Sequence, residues 1–317
     1  MDRYWSFNTH RLRKAMLLAR RLLFLEETAH KTAHLTARLL IEQTRARGVL
    51  PALADAEFQV YSQWGDDGII QYLLSQVAVR PAERAFVEFG VQDYREANTR
   101  FLLVNNNWRG LVLDDNPANV AIIGRDPIFW QHRLTAARAF VTADNVNALL
   151  AEHGFAADLG LLHIDIDGND YWVWRAFDVT RPVIAIIEYN AVFGAEHALT
   201  VPYDPAFDRS RAHYSNLFFG ASLGALCDLA SAKGYAFVGC NSAGNNAYFV
   251  RRDRLGALPA LSPADGFVDA AFRESVGRDG RSTYLSGAAR QREIAECIAF
   301  DTRSNSLVRV GDRLGAG

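Results

Sequence analysis

From residue 84 onward the chain alternates between two kinds of apolar segment. Five short runs have strand length and end on polar residues or glycine: "RAFVEFG" (84–90), "RGLVLDDNP" (109–117), "ARAFVTADN" (137–145), "LGLLHIDID" (159–167) and "RPVIAIIEYN" (181–190). Between them, "EANTRFLLVNNNW" (96–108) and "VNALLAEHG" carry the three- and four-residue spacing of helices, as does "QWGDDGIIQYLLSQV" ahead of the first run. Such alternation predicts a mostly parallel sheet with helices on both faces, because each buried strand must be followed by an element that crosses back over the sheet. After the amphipathic stretch "SLGALCDLASAKG" (222–234), "YAFVGC" and "NAYFVRR" predict a closing antiparallel strand pair turning at Ser242–Asn245.

The first fifty residues follow a different pattern. Gly and Pro are absent over 8–47, and Leu12, Met16, Ala19 and Leu23 recur at helical spacing. They predict a helical extension (1–50), a helix or helical hairpin, joined by Gly48–Pro51 to a catalytic domain over 51–317. The net charge of -2 conceals an asymmetry: residues 1–50 carry +6 and the remainder -8. An acidic body argues against nucleic acid as a partner. The basic helix leaves two expectations for residues 1–50, self-association in a homo-oligomer or contact with a membrane surface. Half of the 317 residues are hydrophobic, as in a folded globular chain, and no run approaches the length of a membrane span. Three cysteines, an odd number at spacings unlike a zinc site or a disulfide framework, and no signal-peptide pattern predict a cytoplasmic location.

The chemistry is expected at the carboxyl ends of the strands, where open α/β sheets bind ligands. Those ends read Glu88-Phe-Gly90, Asp114-Asp115, Thr142-Ala-Asp144-Asn145, Asp165-Ile-Asp167 and Glu188-Tyr-Asn190. Helix capping explains one acidic strand end readily and five in succession poorly. The order of these motifs resembles the class I S-adenosylmethionine-dependent methyltransferases, whose Rossmann-like fold it implies. "FVEFGVQDYREANTRFLLVNNNWRGLVLD", "LLHIDIDGNDYWVW" and "YFVRRD" are similar to the FkbM-like branch, over roughly residues 60–255. The resemblance implies S-adenosylmethionine as cofactor, with Glu88, Gly90, Gln92 and Thr99 near its methionine part, Asp114 on the ribose, and Asp144 and Asn145 by the adenine. The loop departs from the family's acid-x-Gly-x-Gly-x-Gly, since Gln92 and Tyr94 stand where two glycines would be.

Asp165, Asp167 and Asp170 crowd three acids into six residues, and three readings stay open. They form a turn and helix cap; one is a general base for a substrate hydroxyl; or they hold Mg²⁺ or Mn²⁺. Macrocin-type sugar O-methyltransferases resemble the last arrangement and imply Asp165, Asp167, Glu188 and Asn190 as metal ligands. His163 alternates with Asp165 along its strand, and His213 lies in the aperiodic stretch 194–222, so both are candidate catalytic residues with Asp165 and Asp167. Tyr203, Tyr214, Trp172 and Trp174 are candidate sugar-stacking rings. The expected activity is methyl transfer to a sugar or glycoconjugate hydroxyl. The alternatives are a different metal-dependent enzyme on the same fold and a non-catalytic scaffold.

Overall fold

The structure, a computed structural model, describes residues 2–315. The main sheet has seven strands: β1 (Ala85–Phe89), β2 (Arg109–Asp114), β3 (Leu134–Arg138), β4 (Leu161–Ile164), β5 (Ile184–Glu188), β7 (Tyr235–Cys240) and β8 (Asn246–Arg251). Their order is β3-β2-β1-β4-β5-β8-β7, with β1 to β5 parallel and β8 antiparallel to both of its neighbours. A separate antiparallel sheet joins β6 (Leu199–Thr200), β9 (Ile298–Asp301) and β10 (Ser306–Arg309) in the order β10-β9-β6.

Side-chain alternation assigns each strand residue to one of two cores. Val87, Phe89, Leu162, Ile164, Ala185 and Ile187 pack under helices 146–152, 170–176 and 223–232. Phe86, Leu161, Ile184 and Ile186 pack under helices 66–76 and 100–106. Both faces are therefore dry, which is why β1 and β5 are apolar at nearly every position. A third, smaller core behind β6 and β9 gathers Phe193, Val201, Leu217 and Ile294.

The architecture is the expected mostly parallel sheet with an antiparallel C-terminal pair. Three details differ. The third strand lies at Leu134–Arg138, not 137–145: it is an edge strand, only partly buried, and needs no apolar run to mark it. The N-terminal extension is one continuous helix, Asp2–Ala46, and no hairpin. The side chains of residues 1–13 and of Leu23 lie outside the described residues, so the Leu12 and Leu23 positions of the expected stripe are not assessed. The three-stranded sheet was not anticipated, because strands of two to four residues leave no periodic signal.

Candidate active site

Register builds the site in two tiers. Within the sheet, Glu88 pairs with His163, and His163 with Ile186. Two residues further along each strand, on the same face, come Gly90, Asp165 and Glu188. Gly90 has φ +76, and a Cβ there would sit 1.7 Å from the Asp165 carbonyl oxygen, so only glycine permits this approach.

The loop after β1 keeps a glycine-type backbone without the glycines. Gln92 (φ 49) and Tyr94 (φ 62) are both left-handed, a conformation costing roughly 1–2 kcal/mol for each L-residue. Hydrogen bonds hold it: the Gln92 amide donates to Asp114 Oδ2 at 2.7 Å, and Arg100 donates to the Tyr94 carbonyl at 3.0 Å. Asp114 Oδ1 accepts from the Asn116 amide (3.0 Å) and from Asn119 Nδ2 (2.9 Å). One acceptor position of Asp114 Oδ2 stays available beside the cavity.

The first tier is closed on itself. Glu88 accepts from the Asn98 amide (3.0 Å), the Thr99 amide (3.1 Å), the Thr99 hydroxyl and His163 Nδ1 (2.9 Å). The carboxylate thereby fixes the turn that leads into helix 100–106. Burial would raise its pKa, but the His163 contact and these donors carry it below the ordinary value. Burial likewise opposes the charge on His163, yet Glu88, with Asp165, lifts it to about 9. Glu88 thus favours the charged form of His163, and with Nδ1 on Glu88 and Nε2 facing Asn98 Nδ2 at 3.2 Å neither ring nitrogen is free for a substrate. The Glu88 carboxylate and the Thr99 hydroxyl are hydrogen-bonded to each other and to the protein, with Glu88 at the wall of a small cavity of about 170 Å³.

The second tier has surplus negative charge. Burial, with Asp167 adding and His163 opposing, raises Asp165 to about 6. Burial and the charge of Asp165 raise Asp170 to about 7, although it accepts the Ile166 (2.9 Å) and Gly168 (3.0 Å) amides as a turn and helix-start cap. Glu188 is pushed well above its ordinary value by burial and then by Asp165, Asp167 and Asp170, and its Oε2 is buried with no hydrogen-bond partner. The cation facing them is Arg209. It donates to Asp167 at 2.7 Å, to Glu274 and to the Asn216 carbonyl (2.7 Å), and lies 3.7 Å over the Phe219 ring.

The donor set does not fit a divalent metal. Asn190 spends its amide on the Leu217 and Phe219 carbonyls and caps the Val192 amide; Asp167 faces Arg209; Asp170 faces two amides. Among the described residues no three His, Cys, Asp or Glu side chains converge as ligands. The expected set Asp165, Asp167, Glu188 and Asn190 is not gathered as a ligand group among the described residues.

A cavity of about 640 Å³ opens beside the second tier at Gly90 and Asp165, walled also by Gln92, Asp114, Asn119, Phe140, Asp167, Arg209 and Glu274 among others. Its size suits a small organic ligand. The sequence matches no protein-family model and no curated protein. What the cavity can do is therefore read from its own chemistry. It offers a free carboxylate acceptor at Asp114, a ring at Phe140, and at Asp165 a carboxylate whose pKa near neutrality suits proton transfer.

Other expected site residues fall outside this cavity. Asn145 pins the Phe140–Thr142 wall, accepting from the Thr142 amide (2.8 Å) and donating to the Phe140 carbonyl (2.9 Å), and Asp144 accepts from Tyr203. His213 is paired with Ser215 (2.7 Å), and burial lowers its pKa. Trp174 packs on Phe249, Trp172 donates to the Val201 carbonyl, and Tyr214 bonds Glu293. The rings that do reach the cavity are Phe140 and Phe207. Arg209 and Glu274 were missed, since both come from aperiodic segments remote in sequence from the acids they meet.

Proposed function

We propose that the protein is an S-adenosylmethionine-dependent O-methyltransferase of the class I, Rossmann-like type, acting on a sugar or glycoconjugate hydroxyl. The observation that carries this reading is the left-handed loop Gly90–Gln92–Tyr94, tied to Asp114 and opening on a ligand-sized cavity. The departure from the glycine pattern lies in side chains, and Gln92 and Tyr94 both take the positive φ that glycine takes readily. The antiparallel β8 inserted between β5 and β7 supports the same reading.

S-adenosylmethionine would supply an already activated methyl group, so the protein has to bind, align and deprotonate. Asp114 has an acceptor for ribose hydroxyls, and Phe140 offers a face for a planar base. Asp165 takes the acceptor hydroxyl's proton, with Glu188 held neutral beside it. Arg209 steadies Asp167 and Glu274 at the mouth where an acceptor enters. No step runs through a metal.

Thermal unfolding with S-adenosylmethionine or S-adenosylhomocysteine tests the reading. A specific ligand at roughly 100 times its Kd adds about 2.7 kcal/mol of stability and raises Tm by several degrees. No shift with either compound would leave the cavity to a different substrate.

A further inference from the structure

We infer that the N-terminal helix docks the protein on an anionic lipid surface, with the helix lying along the membrane. Only its C-terminal end is held by the body. His34 bonds Tyr61 at 3.0 Å, Arg38 bonds Asn105 at 3.2 Å, and Ala37 is buried. From Lys14 to Thr32 every described side chain is exposed, a length of roughly 30 Å at 1.5 Å per residue. That segment does not look like a free surface. Met16, Leu18, Leu22, Phe24 and Leu25 are each 58% exposed or more. At 100° per residue Leu17, Phe24 and Leu25 share one side with Lys14, Arg20 and Arg21, while Leu18, Leu22, Ala19 and Met16 lie on the other. Exposed apolar side chains at this density call for a cover.

Charge decides which cover. Residues 3–25 hold six Lys or Arg and no Asp or Glu. A second copy of the helix would set like charge against like. An anionic bilayer surface neutralises Lys14, Arg20 and Arg21 and receives Leu17, Phe24 and Leu25 on the same side, the pattern of an interfacial helix. No helix among the described residues is long and apolar enough to cross a membrane, so the helix lies on the surface. The inference does not depend on what the cavity binds.

Sedimentation of the full-length protein with vesicles tests it. The protein is expected to pellet with vesicles containing phosphatidylglycerol, to stay in solution with phosphatidylcholine alone, and to be released by high salt. R20E/R21E should weaken binding at least tenfold. L17S/F24S, which keeps the charge, should weaken it as well; an unchanged affinity would reduce the contact to charge alone and overturn the inserted helix. Equal binding to both vesicle types, or none to either, overturns the proposal. So does a concentration-dependent dimer that fails to bind lipid, since a second copy would then be the cover. Circular dichroism of the variants checks that the helix and body are intact.

Discussion

The two tiers of strand-end residues sit on the same three strands, one alternation step apart, and are opposite in electrostatic character. The Glu88–His163 tier is balanced: one carboxylate, one imidazole ring bonded to it, and amide donors for the remaining lone pairs. Its pKa shifts favour the charged forms of both partners. The Asp165–Glu188 tier has acids without matching donors, and its shifts favour protons. A satisfied buried pair holds structure together, whereas an unsatisfied one is poised to exchange protons. The lower tier therefore reads as the foundation and the upper as the working surface.

Substitutions can break this contrast. The largest effect is expected for E88A, which orphans two buried amides and leaves a buried imidazolium without its partner, at about 3–5 kcal/mol in urea unfolding. It should also change the alkaline limb. The folded pKa of His163 lies above its ordinary value, so the imidazole's contribution is fully present below pH 6.5 and is lost as pH rises through about 9. In E88A that loss should disappear. R209M is expected to cost less, about 1–2 kcal/mol, because Asp167 and Glu274 are solvent-accessible once released.

The smallest effect at acidic pH, and the most diagnostic, is expected for E188Q. A carboxyl raised above its unfolded value stabilises the fold below that value, and the stability is lost as pH rises. For the upper tier the loss starts near pH 4 and runs through the folded values of about 6 for Asp165 and about 7 for Asp170. Gln at 188 stays neutral throughout, so the fall in stability from pH 4 to 7 should flatten. An E188Q profile parallel to wild type would contradict the assignment of surplus charge to this tier.

The sequence announced the sheet because parallel strands buried on both faces must be apolar runs, as in "RPVIAIIEYN". It announced the acid cluster because Asp165, Asp167 and Asp170 are local. It was silent on their counter-charge, since Arg209 belongs to an aperiodic loop brought in by tertiary packing. Gln92 and Tyr94 stand where the resembling family has glycines, yet both take positive φ; side-chain identity is a weak guide to φ when neighbouring hydrogen bonds impose the conformation. At Glu88 the acid was legible and its role was not, because only the register of β1 against β4 reveals His163 beside it.

Isothermal titration of the full-length protein with S-adenosylhomocysteine tests the central claim most directly. The account predicts one site per chain, weakened at least about tenfold in D114A, which removes the free acceptor, and little changed in E188Q. Absence of binding in a wild-type protein shown to be folded, or equal affinity in wild type and D114A, would contradict it.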